Sequence, residues 1–128
     1  MQYEYFYGTQ AEQFSFYRIP KALFTEPNFR ELSTDAKVLY GILLDRMSLS
    51  LKNQWLDAQN KVYIIFTVEE IMDALNCANQ KATRLMVELE KQAGLIERKR
   101  QGLGRPNLIY VKNFAATIND KNCEKGDS

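Results

Sequence analysis

Histidine is absent from these 128 residues, and there are only two cysteines, three prolines and six glycines. Without histidine there is no His-based triad, no imidazole general base and no His-ligated metal. The two cysteines, Cys77 and Cys123, lie far apart, one in an expected turn and one in a polar tail. They read as ordinary thiols: the spacing suits no zinc cluster, and a structural disulfide does not fit a reducing cytosol. No apolar run approaches the roughly 18 residues a membrane span needs. The start, MQYEYFYGTQAEQ, lacks a basic segment and carries Glu4 and Glu12, so no signal peptide is expected and the protein is expected in the cytoplasm. Gly102 and Gly104 sit between two strand-like runs and read as a hairpin turn, not as a phosphate-cradling loop. No acid–base constellation stands out. The expectation is therefore a non-enzyme with no catalytic residue, no metal and no cofactor.

What is present suits one soluble domain with a hydrophobic core: 45% apolar and 26% charged residues. The net charge of +1 is unevenly spread. Residues 78–112 hold eight Lys/Arg against three acids, a net +5, while the remainder holds nine against thirteen, a net −4. A basic face on an acidic body orients a molecule toward a polyanion. The alternative is a solvated charged hairpin, the usual meaning of a local charge run.

Order along the chain decides between these. Residues 1–17 form an aromatic arm (Tyr3, Tyr5, Phe6, Tyr7, Phe14, Phe16, Tyr17), expected to pack on its own domain or on a second copy. Pro20 suits the first turn of a short helix through Leu23 and Phe24, which Pro27 stops. Ser33 caps the next helix, whose apolar residues run nearly all round, as in a helix central to the core or shared with a partner. KNQWLDAQN is a polar connection leading into the alternating run KVYIIF, expected to be a strand. Thr67 and Glu70 make a capping box that opens a helix with Val68, Ile71, Met72 and Leu75 on one stripe. Asn76 and Cys77 fit a turn, with Asn79 as the expected N-cap of a second helix carrying Ala82, Leu85, Met86 and Leu89. Gly94 ends it. LIERKR and NLIYVKNF then form a hairpin around QGLGRP. The predicted architecture is α+β, mostly α: a winged helix-turn-helix over residues 18–114, with extra N-terminal helices and a β-hairpin wing. Residues 115–128 are polar and expected to be a disordered tail.

The candidate interface follows from these faces. The core stripe of the second helix leaves Asn79, Gln80, Lys81, Thr83 and Arg84 pointing elsewhere, and a recognition helix presents its early residues to base edges. Gln or Asn reads adenine bidentately and Arg reads guanine. Thr83 and Lys81 suit phosphates equally well. On the wing, alternation puts Arg98 and Arg100 on one face and Lys99 on the other, with Arg105 beyond the turn. Lys99, Arg100 and Arg105 are the candidate contacts, for a narrow minor groove or for phosphates. The alternative is a wet polar face with no partner. Trp55 and the aromatic arm invite base stacking, but packing or dimerisation is the stronger reading.

Five segments, YRIPKALF, DAKVLYGILLDRMSLSLKNQW, VYIIFTVEEIM, CANQKATRLMVELE and GLIERKRQGLGRPNLIYVKNF, resemble the N-terminal domain of RepA_N-type replication initiators. These come from theta-replicating plasmids of Gram-positive bacteria. The resemblance covers about residues 14–114. It implies a winged-helix domain that binds repeated duplex DNA sites at an origin and commonly dimerises. Gln80 to Leu85 then matches the recognition helix and Glu97 to Pro106 the wing. Members carry a long linker and a C-terminal domain beyond the matched part, so the expectation is either a domain fragment or a shortened protein. A transcriptional repressor using the same surface, and a winged helix that recruits host replication proteins, are the alternative functions.

Overall fold

A computed structural model describes residues 2–8 and 13–115. The short helix α1 (Ala22–Thr25) is followed by one 3-10 turn at Pro27–Phe29. The long helix α2 (Thr34–Lys52) starts at Ser33, whose hydroxyl accepts from the Ala36 N–H. Its residues Ala36, Leu39, Tyr40, Ile42 and Leu43 are buried, so its continuous apolar surface belongs to the core. Gly41 permits the chain to cross this helix closely: a Cβ there would lie 2.9 Å from Ile19 and 3.0 Å from the Arg18 carbonyl oxygen.

The next two helices are α3 (Val68–Leu75) and α4 (Asn79–Val87). Thr67 and Glu70 close both halves of the capping box. Asn76 ends α3 in the left-handed region at φ +52°, which Asn tolerates better than most residues. Ile71 of α3 and Ala82, Leu85 and Met86 of α4 carry the stripes into the core. One expectation is corrected here: Ala78, not Asn79, is the N-cap of α4, and it supplies no side-chain hydrogen bond. The left-handed Asn76 turns the chain so early that Asn79 already has helical backbone.

After Val87 the helix widens into a π turn over Glu88–Gln92, closed by the Ala93 N–H on the Glu88 carbonyl at 3.0 Å. Strand β1 (Ile96–Lys99) then pairs antiparallel with β2 (Leu108–Val111), Ile96 facing Val111 and Lys99 facing Leu108. The strand expected at KVYIIF is not a full strand. Val62 bridges Leu56 and, two residues on, Ile64 bridges Ile109. The chain changes partner and then enters the α3 cap at Thr67, so no ladder grows. Ile64 and Ile109 do exchange both backbone bonds at 2.9 Å, which pins the wing sheet to the helices.

KNQWLDAQN is likewise more than a connection. Residues 55–63 fold back so that Trp55 stacks on Tyr63 with ring centroids 6.4 Å apart. Asp57 accepts the N–H groups of Gln59 and Lys61 and the Tyr110 hydroxyl, which ties this loop to β2. Its carboxyl is held below the usual range, first by the Lys61 N–H.

In the arm, Phe6, Phe14 and Phe16 meet edge to face, and Tyr5, Phe6, Phe14 and Phe16 stay exposed. Most of the expected tail after residue 114 lies outside the described residues.

Candidate nucleic-acid interface

The candidate contacts lie on α4 and on the wing. The packed stripe of α4 turns Asn79, Gln80, Thr83, Arg84 and Val87 outward. All five are exposed. With no side chain capping it, the α4 N-terminus presents unsatisfied N–H donors and the positive end of the helix dipole, both suited to an anion. Lys81 is held differently from its neighbours: its Nζ pairs with Asp35 at the start of α2, 2.6 Å away. Both side chains are about half exposed, so the pair is weak and its lysine remains exchangeable to a phosphate.

Basic residues of the wing divide into two groups. The Arg98 guanidinium donates through Nε at 3.1 Å and Nη2 at 2.7 Å to one Glu90 oxygen. This is a largely shielded pair, and the Arg98 hydrogen bond holds the Glu90 carboxyl below its usual value. Arg98 is thus an internal strut that fixes the wing to the π turn. Lys99, Arg100 and Arg105 are exposed and make no ion pair among the described residues. Arg100 lies just past the last paired residue, Lys99, so strand alternation does not set its direction.

Between wing and helix pair runs a cleft lined by Thr67 and Val68 at the start of α3, Met86 of α4, and Arg105, Pro106 and Asn107 of the wing. It brings Arg105 near the α3 N-terminus. Of the predicted contact residues, Asn79, Gln80, Thr83, Arg84, Lys99, Arg100 and Arg105 are exposed and Lys81 is half-buried. Sequence reasoning missed Asn107, whose place beside Arg105 and Pro106 just after the glycine turn was the available signal.

Comparison with known proteins points the same way. Residues 15–124 match the family model described as the replication initiator protein A (RepA) N-terminus. A "41 kDa protein" of Lactobacillus helveticus is 31% identical over 111 residues, 87% of this chain but 30% of that protein. The chain thus spans about a third of that relative's length. Three solved structures are similar over nearly their whole length. One, described as the N-terminal domain of a DNA binding protein, is 36% identical with a TM-score of 0.73, over 99% of this chain and 98% of that one. A Rep–DNA complex is 36% identical with a TM-score of 0.72, over 98% of both chains. An MDR initiator is 39% identical with a TM-score of 0.71, over 98% and 99%.

Proposed function

The chain belongs to the family of replication initiator protein A N-terminal domains, and we propose that it is the part of an initiator that binds duplex DNA at the repeats of a plasmid replication origin. One observation carries this reading: α4 leaves its early residues Asn79, Gln80, Thr83 and Arg84 exposed, and the wing leaves Lys99, Arg100 and Arg105 exposed and unpaired. A structure 36% identical to this chain is a Rep–DNA complex, which supports it further.

The roles follow from side-chain chemistry. Gln80 suits the paired donor and acceptor of adenine, and Arg84 the two acceptors of guanine. Asn79, Lys81 and Thr83 hold the adjacent backbone, with help from the α4 N–H donors. Arg100 and Arg105 straddle the wing turn and suit the two phosphate edges of a groove, with Lys99 behind them. The domain works by binding and not by catalysis, in the cytoplasm where plasmid DNA resides.

Assembly as a homodimer completes the proposal. Tyr5, Phe6, Phe14 and Phe16 each expose half or more of their surface, and an exposed aromatic patch usually marks an interface. A symmetric pair would set two recognition helices on half-sites a helical turn, or a multiple of one, apart. Sedimentation equilibrium should give a dimer mass that falls to a monomer when residues 1–13 are removed. A monomer at tens of micromolar, unchanged by the deletion, removes the dimer and leaves DNA binding intact.

Footprinting on the plasmid region around the chain's own gene tests the main reading. Regularly spaced protected repeats are expected. A region left uniformly unprotected at protein concentrations well above those of specific binding would sink it.

A further inference from the structure

Leu103 sits in the turn at the tip of the wing, between Gly102 and Gly104. It is 105% exposed, the most open large apolar side chain among the described residues. The tip around it is well defined. The Arg105 N–H donates to the Gly102 carbonyl at 3.3 Å, and the Gln101 amide donates to the Pro106 carbonyl at 2.8 Å. Gly104 has φ +77°, the value for the third position of a type II turn, which places Leu103 at the leading corner. Gly102, at φ +121°, adopts backbone open to almost no other residue. A Cβ at either glycine would meet nothing within 4 Å, so their smallness serves backbone shape and close approach, not packing within the chain.

A leucine at this corner stabilises nothing in its own fold. A polar turn former would serve the turn as well without exposing an apolar side chain. Its surroundings say what covers it. Lys99, Arg100 and Arg105 are all exposed and near the same tip. A tip with an apolar point and a cationic rim matches a surface with an apolar floor and anionic lips. The minor groove of a duplex offers this once a step opens: sugar rings form apolar walls, the parted base faces are apolar, and phosphates stand on either side. An apolar protein pocket would take the leucine but would leave three cations to be matched separately.

We infer that Leu103 is an apolar wedge that enters the minor groove, partly unstacks one base step and bends the duplex, while Arg100 and Arg105 hold the phosphates on the two sides. The inference rests on the DNA-binding reading above. Apolar side chains pressed against base steps open the minor groove and bend DNA toward the major groove. Pyrimidine–purine steps such as TA unstack at least cost, so the wedge selects such a step without any hydrogen bond to a base. Wing insertion would then contribute both sequence preference and a deformation of the origin.

The test uses the full chain and a duplex that wild-type protein selects from a randomised library. Bending is read by energy transfer between dyes at the duplex ends. Unstacking is read from a fluorescent adenine analogue placed at successive steps. Wild type should bend the site and brighten the analogue at one step under the wing. Leu103→Ala should lose that signal and most of the bend and bind about tenfold more weakly, the scale of one buried leucine. Its salt dependence should match wild type, because no charge has changed. Leu103→Met should keep both signals. Since Leu103 is fully exposed, neither variant puts folding at risk. Wild-type bending and unstacking by Leu103→Ala would overturn the wedge while DNA binding stands. Failure of the wild type to select any site would remove the reading and the wedge together.

Discussion

Glu88 accepts two hydrogen bonds from Ser33, from its backbone N–H and from its hydroxyl, each at 2.9 Å and across 55 residues of chain. The same Ser33 hydroxyl accepts the Ala36 N–H and so caps α2. A carboxylate on the π turn therefore locks the start of the central helix α2 to the end of α4. Glu88 is buried, so its charge is tolerated because both partners are present.

Replacing Glu88 with Ala should destabilise the domain by about 1–3 kcal/mol, the cost of leaving the Ser33 donors unsatisfied. Glu88→Gln, which keeps one acceptor, should lose less. Urea unfolding followed by circular dichroism checks both. Equal stability of Glu88→Ala and wild type would mean that water replaces the carboxylate without loss.

Gln80→Ala and Arg84→Ala should relax base preference at one position each. A lost bidentate base contact costs on the order of 1–3 kcal/mol at that position. Competition binding with singly mutated sites measures it. If both variants keep the wild-type ranking of sites, the reading face of α4 has been assigned wrongly.

Arg100→Ala and Arg105→Ala should weaken binding more evenly across sequences. Each lost phosphate contact should make the plot of log K against log salt shallower by about 0.9. Arg98→Ala should instead act on the fold, because its guanidinium is spent on Glu90. A thermal melt lowered in Arg98→Ala and unchanged in Arg100→Ala separates the two roles.

Tyr40 gives a pH dependence with a definite sign. Its phenol donates to the Lys112 carbonyl at 2.9 Å, and burial raises its pKa from 10.0 to about 12. The folded state holds this proton more tightly than the unfolded state. The resulting stability is fully present below pH 10.0 and is lost as the pH climbs toward about 12. Alkaline unfolding followed by phenolate absorbance should show this loss, and Tyr40→Phe should flatten the stability curve over that range. A Tyr40 phenol that ionises with the surface tyrosines would contradict the burial argument.

Local chemistry was legible in the chain before any contact was known. Ser33 and Thr67 act on N–H groups within one helical turn, and the stripes Val68–Ile71–Met72–Leu75 and Ala82–Leu85–Met86–Leu89 need only helical periodicity. The outward face of α4 then follows by subtraction, which is why Gln80, Thr83 and Arg84 could be named from sequence. The N-cap of α4 failed by one residue because a left-handed Asn76 shortens the turn, and composition does not report a dihedral angle. Contacts between distant segments lay beyond sequence reasoning. Alternation in KVYIIF shows which side chains face inward, not that Val62 and Ile64 pair with two different segments. The wing arginines look alike in sequence, and only the π turn, by setting Glu90 against Arg98, makes one a strut and leaves Arg100 and Arg105 exposed. A side chain's periodicity is a property of its own segment, whereas its partner depends on where the rest of the chain has folded.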